Sequence, residues 1–306
     1  MGIFDKLRGN SLQRTSSVEE TRIKNILGIR ELESMPAQAA KAFQLASDPK
    51  ATSLDFVKVI EKDEALSSRV VRVANSVYFF RGTTATDIEK AVANIGLNEL
   101  RCLISATMLR SLLQSKHEAR IQIWSNSVSV AIGCRLLSSY TNQTSDGEAF
   151  LGGLVHDLGK LIMIRKNGRL YERVIMFAGS GKQTFVEAEE EAFETTHTEV
   201  GKWVAEQWNF PQSIIGAIAQ HHNPWPTSKS QMGKNTSLPV LVKCSDVISH
   251  ALGIGHGRGM KGFQEQAKEM LSIVWKQLEI DSKIADGICQ TFERQFRDEE
   301  RIYDVD

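Results

Sequence analysis

The sequence predicts an all-α fold, and three observations support this prediction. Apolar residues recur at helical spacing along most of the chain, capping residues precede many of these stretches, and no stretch alternates between apolar and polar residues as a half-buried strand does. With 306 residues, of which 42% are hydrophobic, the chain is long enough to bury a sizeable core. We therefore expect two packed helical subdomains, the second one a helical bundle.

The domain organisation follows from changes in composition along the chain. Residues 1–25 are polar and only weakly periodic, so we expect a loose, variable lead-in. Residues 26–115 read as a compact set of short helices, and residues 116–306 as a second helical half that includes the C-terminal helices. The boundary between the two halves is predicted near 114–120.

Helices of the first half are predicted from their capping residues. A helix from about Pro36 to Ala46 should be followed by two more, which Ser53 and Asp63 can cap. In the first of these two, Leu54, Val57 and Ile60 are expected to share the buried face. A capping box precedes the next helix, which Gly96 should end, and another helix then runs to about residue 113. That capping box spans Thr86–Glu89.

The second half carries further helix-start signals. Capping boxes occur at Ser145–Glu148, Thr184–Glu187 and Thr196–Glu199, and the first should lead into one apolar helix, AFLGGLVHDLGKLIMI. Further helices are expected over 121–139, from Pro211 to about His222, from Ser237 past Asp246, and near 261–278 and 282–298, with a polar loop over 227–236.

Composition excludes several classes of protein. Lys and Arg together number 37, as do Asp and Glu, so a general nucleic-acid binder, which carries a basic excess, is not expected. No apolar run approaches the roughly 20 residues of a membrane helix, and no secretory signal peptide is visible. None of the cysteines forms a C-x-x-C pair, so we expect free thiols and a cytoplasmic protein. They are Cys102, Cys134, Cys244 and Cys289.

Ionisable residues in four predicted helices of the second half are candidate metal ligands: His156, Asp157, His197, His221, His222 and Asp246. Imidazole and carboxylate groups suit divalent Mn, Fe or Zn, and helices of a bundle can converge on one ion. Lys160 lies one turn after His156 and could contact a phosphate oxygen. Structural roles remain open for each: a histidine can cap a helix or hydrogen-bond within a core, and Asp246 can bond within its own helix.

Several stretches resemble the HDOD family, bacterial signalling domains of the HD superfamily that are related to HD-GYP phosphodiesterases and HD phosphohydrolases. The matching stretches are ELESMPAQAAKAFQLASDP, DFVKVIEKDEALSSRVVRVANSVYF, TDIEKAVANIGLNELR, IWSNSVSVA, LGGLVHDLGKL, THTEVGKWVAEQWNFPQSIIGAIAQHH and KCSDVIS. The resemblance implies an all-helical fold whose second half is an HD-like bundle.

The resemblance also implies roles for individual residues. His156 and Asp157 match the signature pair, Asp246 the closing carboxylate, and His197, His221 and His222 the additional histidines of multi-metal relatives, while Lys160 matches their phosphate-facing lysine. It implies a divalent ion such as Fe, Mn, Zn, Ni or Mg. Catalytic relatives carry a histidine where this chain has Asn126, and a carboxamide oxygen is a weaker ligand than imidazole.

Two functions follow from these residues. The resemblance and Asn126 favour a regulatory module with a degenerate metal site that binds signalling proteins or a small phosphorylated ligand. The alternative is a metal-dependent phosphohydrolase acting on a phosphoester or a cyclic nucleotide, in which Asp157 and Lys160 would be catalytic. The apolar run from Val77 to Phe80 fits a partner surface, and its alternative reading is core packing between the halves. Nucleic acid and membrane are not expected partners.

Overall fold

The computed structural model describes residues 18–113, 117–141, 144–255 and 260–304, and in these residues it contains helices and no strands. The all-α prediction is therefore confirmed. The helices are α1 (18–27), α2 (Ala37–Ser47), α3 (Ser53–Ile60), α4 (Glu64–Ala74), α5 (Ile88–Ile95), α6 (Leu97–Leu112), α7 (Ala119–Thr141), α8 (Asp146–Val155), α9 (Leu158–Gly179), α10 (Phe185–Phe193), α11 (His197–Gln207), α12 (Gln212–Gln220), α13 (Leu238–Leu252), α14 (Lys261–Leu278) and α15 (Ser282–Asp304). The polar loop after α12 contains two short 3₁₀ turns, Lys229–Gln231 and Gly233–Asn235.

Helix α1 is docked onto the second half of the chain. Its Ile23 is fully buried, and its Arg22 forms a 2.7 Å ion pair with Glu199 in α11. The loose lead-in predicted for residues 1–25 is therefore wrong for the part that the structure describes. Residues 1–17 of the predicted lead-in lie outside the part of the chain that the structure describes.

Of the three capping boxes predicted in the second half, one is confirmed in full and two in their N-cap hydrogen bond alone. Thr184 and Glu187 form a capping box at the start of α10. Ser145 and Thr196 each accept a hydrogen bond from the backbone N–H three residues further on, at the starts of α8 and α11. These bonds satisfy N–H groups that a helix leaves unpaired at its first turn.

Two helix starts of the first half differ by one residue from the prediction. Thr52, and not Ser53, caps α3, because Asp55 completes a capping box with Thr52. Asp87, and not Thr86, caps α5 through its carboxylate, which accepts from a backbone N–H of the first turn. Neighbouring polar residues offer competing caps, and the sequence alone does not rank them.

The buried face of α3 also differs from the prediction. Phe56, Val57, Val59 and Ile60 are buried, whereas Leu54 is 61% exposed. At about 100° per residue, Leu54 lies roughly 140° from the centre of these four side chains. An i, i+3, i+6 pattern drifts around the helix, and its first member here faces solvent.

A break separates α8 from α9 at the His-Asp pair, where the sequence predicts one continuous helix. His156 follows the last residue of α8, and Asp157, with φ −98° and ψ 19°, precedes the first residue of α9. Helix α9 then continues to Gly179 with a kink at Asn167. The two candidate ligands therefore lie between the C-terminus of α8 and the N-terminus of α9, and not in the interior of one helix.

Glycines allow the helices around the break to approach closely. A Cβ at Gly159 of α9 would lie 2.0 Å from the carbonyl oxygen of His197 in α11, and one at Gly153 of α8 would lie 2.7 Å from the Cα of Ala131 in α7. Helix α7 packs against α8, α9, α13 and α15. Buried apolar side chains form one core through both halves. The boundary between 115 and 116 stays a prediction.

The turn after α4 presents apolar side chains to solvent. Phe79 is buried, but Val77 is fully exposed and Tyr78 and Phe80 are 42% and 47% exposed. The core-packing interpretation of this run therefore applies to Phe79 alone. The Tyr78 hydroxyl donates a 3.1 Å hydrogen bond to Glu299 of α15.

The free thiols expected from the sequence are confirmed. Cys102, Cys134 and Cys244 are buried, Cys289 is half-buried, and all four are unbridged. Among the described helices, none combines the length and the apolar character needed to cross a membrane.

Candidate functional site

Four of the predicted ligand residues meet at helix ends. His156 follows α8, Asp157 precedes α9, His197 opens α11 and His221 follows α12. The Asp157 Oδ2 lies 3.4 Å from His156 Nε2, and its Oδ1 lies 3.4 Å from His197 Nε2 and 3.8 Å from His221 Nε2. Each of the four residues is at most 1% exposed. Residues up to 65 positions apart in sequence thus share one buried centre.

His222 joins this centre from its exposed side. Its Nε2 lies 3.1 Å from His197 Nε2, which lies 3.3 Å from His221 Nε2. The donors form two overlapping groups that share His221, and within each group all three ligand atoms lie within 4.8 Å of one another. The groups are His156, Asp157 and His221, and His197, His221 and His222.

Asp246, the sixth predicted ligand, lies at the edge of the centre and belongs to neither group. Its Oδ1 is 3.9 Å from His156 Nε2 but 3.0 Å from the Nε2 of His250. The Asn126 amide donates a long 3.5 Å hydrogen bond to the same oxygen. His250 was not among the predicted site residues, although its i, i+4 spacing from Asp246 places both on one face of α13.

Lys160 contacts a candidate ligand directly. Its Nζ lies 2.8 Å from Asp157 Oδ2 and 4.0 Å above the centre of the Phe185 ring. Lys160 is 4% exposed, so it provides Asp157 with a buried positive charge. Its predicted contact with a phosphate stays a prediction.

Hydrogen bonds fix the orientation of two of the imidazole rings. The Nδ1 of His156 lies 2.7 Å from the carbonyl oxygen of Gly153, and that of His221 lies 3.0 Å from the carbonyl oxygen of Ile218. Carbonyl oxygens only accept, so both Nδ1 atoms donate. The neutral rings therefore direct their Nε2 lone pairs toward Asp157, which is the arrangement of metal-bound histidines.

Glu189 of α10 orients the third ring and was not among the predicted site residues. It is fully buried, and its Oε2 accepts from the backbone N–H of His197 at 2.8 Å and lies 2.6 Å from His197 Nδ1. The Tyr171 hydroxyl donates to its Oε1. A signal was present, since Glu189 lies four residues from both Phe185 and Phe193 and so falls on the apolar face of α10.

The charges at the centre influence one another. Burial alone would raise the pKa of Asp157, but His156 and Lys160 hold it well below its usual value. Burial would likewise lower the pKa of His156, but the Asp157 carboxylate outweighs it, so that pKa is raised. Burial and the nearby His156 lower the pKa of His221 well below its usual value. Asp157 is thus an anion, and a proton competes with any metal ion for His156 Nε2.

These residues fit a divalent transition-metal ion. Both oxygens of Asp157 are buried: Oδ2 lies 2.8 Å from the Lys160 ammonium, whereas Oδ1 receives no hydrogen bond from the described residues. With neutral imidazoles, the carboxylates of Asp157, Glu189 and Asp246 exceed the single ammonium of Lys160 by two charges. Buried charge of this kind is usually paired or bound to a metal. A divalent cation would balance the excess and satisfy the Asp157 oxygens.

A small depression of about 20 Å³, room for about one water molecule, adjoins the centre on the Lys160 side. Asn126, His250 and Phe185 form part of its wall. Lys160 also lines it.

Comparisons with known proteins agree with the fold. The sequence-family model of the HDOD domain matches residues 32–224 of this chain. An uncharacterized protein of Treponema pallidum (strain Nichols) is 25% identical over 205 residues, which is 64% of this chain and 38% of that protein. The chain thus spans well under half the length of this curated relative.

Solved structures resemble the chain at low identity. An HDOD domain protein of unknown function from Geobacter sulfurreducens matches with TM-score 0.73 and 22% identity, over 94% of this chain and 99% of its own. A "Putative signal transduction protein" from Marinobacter aquaeolei VT8 matches with TM-score 0.76 and 18% identity, over 94% of this chain and 65% of its own. A "Putative phosphohydrolase" from Shewanella amazonensis SB2B matches with TM-score 0.65 and 20% identity, over 92% of this chain and 97% of its own. These likenesses show a shared fold, and together with the domain match they establish that the chain belongs to the HDOD family.

Proposed function

We propose that this chain is a regulatory signalling module that holds a divalent metal ion at its His/Asp centre without hydrolysing phosphoesters. The name of the Marinobacter neighbour, a signal transduction protein, supports the first part. The convergence of oriented imidazoles on a buried carboxylate, one oxygen of which has no hydrogen bond in the described residues, supports the second.

One observation carries the non-catalytic part of the proposal: the position of Asp246. Its carboxylate lies closer to His250 and Asn126 than to His156, and it belongs to neither group of converging donors. A histidine at position 126, as the family resemblance implies for catalytic relatives, would add an imidazole ligand beside Asp246. The Asn126 amide is a weaker ligand than imidazole, so the side of the site next to Asp246 has fewer strong metal donors.

Burial of the remaining donors supports the same conclusion. A catalytic metal keeps one position open for water or substrate, whereas a structural metal is enclosed by protein ligands. His156, Asp157, His197 and His221 are at most 1% exposed. They would hold the ion, which when bound would supply a link between the ends of four helices and stabilise the folded state.

Elemental analysis combined with an activity assay tests this proposal. We expect the purified protein to retain bound metal, its melting temperature to fall on chelation, and no turnover of cyclic dinucleotides or bis(p-nitrophenyl) phosphate with Mn²⁺, Fe²⁺ or Zn²⁺. Asp157→Asn should lose the metal, whereas Asp298→Asn, at an exposed position of α15, should retain it. Metal-dependent turnover that disappears in Asp157→Ala would overturn the non-catalytic assignment.

A metal-dependent phosphohydrolase is the second candidate function, and the placement of Lys160 favours it. Its ammonium borders the depression beside Asp157, where it could neutralise the charge of a phosphoester or cyclic nucleotide. The name of the first Shewanella neighbour, a phosphohydrolase, points the same way. Turnover that requires Mn²⁺ and falls about 100-fold or more in Lys160→Met would establish this function.

We propose the turn after α4 as the surface that contacts a signalling protein. Val77 is fully exposed and Phe80 is about half-exposed, and exposed apolar groups of this kind occur at protein interfaces. Val77→Ser and Phe80→Ser should leave the melting temperature unchanged and abolish capture of the partner. If the two variants capture the partner as the wild type does, this surface is not the binding site. If the protein binds a small phosphorylated ligand instead of a protein, the depression beside Lys160 becomes the candidate site.

The free cysteines support a cytoplasmic location, since unbridged thiols are usual in reducing compartments. Cell fractionation tests this: recovery of the protein in the cytosolic fraction would support the location, and recovery in an extracytoplasmic or membrane fraction would contradict it.

A further inference from the structure

Glu189 is a buried carboxylate that the proposed metal site does not use as a ligand. It is fully buried in α10 and belongs to neither group of converging donors. Its hydrogen-bond partners in the described residues are the His197 backbone N–H, the His197 ring and the Tyr171 hydroxyl. A buried anion without a Lys or Arg partner is costly, so its position calls for an explanation.

The contacts of Glu189 determine what His197 can do. The carboxylate lies 2.6 Å from His197 Nδ1, so a neutral ring keeps its proton on Nδ1 and leaves a lone pair on Nε2. That Nε2 lies 3.1 Å from His222 Nε2 and 3.3 Å from His221 Nε2. A carboxylate behind an imidazole makes the ring a stronger metal donor.

Tyr171 in turn fixes Glu189. The Tyr171 side chain is fully buried in α9, and its hydroxyl donates to Oε1, the oxygen that His197 does not contact. Burial and the adjacent Glu189 raise the pKa of Tyr171 well above its usual value, so it remains a donor at all physiological pH values. The three side chains form a chain of hydrogen bonds from α9 through α10 to α11.

We propose that Glu189 is a positioning residue that acts through His197 to raise the affinity of the site for a divalent ion, with Tyr171 holding the carboxylate in place. This inference rests on the proposed function, since it requires that the His/Asp centre binds metal. It adds a residue from outside the ligand set, and it assigns to α10 a role in the site. Glu189 itself does not contact the ion.

Titration of the metal-free protein with Co²⁺ or Zn²⁺ tests the inference. Glu189→Gln keeps the size of the side chain but removes its charge, and it should weaken binding by about 10- to 100-fold. Tyr171→Phe should weaken binding in the same direction by about threefold or more. Glu190→Gln, at an exposed position of the same helix, is the matched control and should bind as the wild type does.

A double-mutant cycle separates positioning from general stabilisation. In a His197→Gln background, Glu189→Gln should cause no further loss of affinity, because the residue through which it acts is gone. Additive losses would overturn the inference, since they would show that Glu189 supports the fold independently of His197. If Glu189→Gln does not fold, the affinity of Tyr171→Phe decides between the two roles, and unchanged affinity in that variant would overturn the inference.

The outcomes distinguish this inference from the proposed function. Wild-type protein that binds neither ion would refute the proposed metal site and this inference with it. Wild-type binding together with undiminished binding by Glu189→Gln would refute the positioning role alone. A loss confined to Glu189→Gln and Tyr171→Phe, with Glu190→Gln unaffected, supports it.

Discussion

Gly159→Ala is expected to disrupt the proposed metal centre without replacing any of the candidate ligands. An alanine Cβ at this position would lie 2.0 Å from the carbonyl oxygen of His197 and 2.8 Å from the backbone nitrogen of Gly201. Carbon and oxygen atoms in close contact are normally about 3.3 Å apart, so the backbones of α9 and α11 would have to separate by roughly 1.3 Å. Both contacts are with backbone atoms, which cannot rotate away.

That separation would move His197 relative to Asp157. The two residues stand at the starts of α11 and α9, and their ligand atoms are now 3.4 Å apart. Metal–ligand distances tolerate about 0.2 Å, so a shift of roughly 1 Å removes one donor from the set. Overpacking of this kind also costs about 1–3 kcal/mol of unfolding free energy, and the better helix propensity of alanine offsets only part of it.

Thermal unfolding of the metal-free protein and Zn²⁺ titration together check this prediction. We expect the Gly159→Ala melting temperature to fall by roughly 2–10 °C and its affinity for Zn²⁺ to fall about 100-fold. Gly287→Ala is the matched control, because a Cβ there meets no atom within 4 Å and should stabilise α15 by about 0.5–1 kcal/mol. A Gly159→Ala protein that melts and binds Zn²⁺ as the wild type does would refute the reasoning.

Three further predictions concern other parts of the molecule. Asn126→His should raise the affinity for Zn²⁺ about tenfold, measured by calorimetry, because it adds an imidazole donor beside Asp246. Hydrogen bonds from Arg22 and Thr195 lower the pKa of Glu199 below 4.5 although burial opposes them, so this carboxylate stabilises the fold above pH 4.5 and less as the pH falls through its folded pKa. Glu199→Gln should therefore cost up to about 1 kcal/mol at pH 7 in urea unfolding, since the pair is partly exposed, and this cost should shrink as the pH falls through the folded pKa of Glu199. Arg101→Met should lower the unfolding free energy by about 3 kcal/mol or more, because the buried guanidinium donates to backbone carbonyls after α2, whereas the exposed Arg72→Met should change it by less than about 0.5 kcal/mol.

Local signals in the sequence were sufficient to predict most of the helices. Thr184 with Glu187, Ser145 and Thr196 cap the helices that they were expected to cap, because their side-chain bonds depend only on residues within one turn. The start of α3 was misplaced by one residue where Thr52 and Ser53 both offer a hydroxyl. Helix α1 was missed, since its burial depends on docking against α11 from far along the chain.

The sequence predicted which ionisable residues meet, but not the contacts that support them, and their role as metal ligands stays a prediction. The side chains of His156, His197 and His221 lie within 4 Å of Asp157, as expected from the residue types and the family pattern. Glu189 was missed because it lies in an acidic run that resembles a solvated helix face, and its partners come from α9 and α11. Its spacing from Phe185 and Phe193 indicates burial, but which residues it contacts depends on tertiary packing, which periodicity within one helix does not encode.

The break between α8 and α9 explains the position of the His-Asp pair, because it places two helix termini, with their partial charges, beside these residues. His156 and His221 follow the C-terminal ends of α8 and α12, where the partial negative charge favours a cation. Asp157 precedes the N-terminus of α9, where the partial positive charge favours its carboxylate. An unbroken helix would cancel both ends and would direct two adjacent side chains about 100° apart. The break instead lets both side chains reach one centre from adjoining helix ends, which explains why two ionisable residues occupy an apolar run.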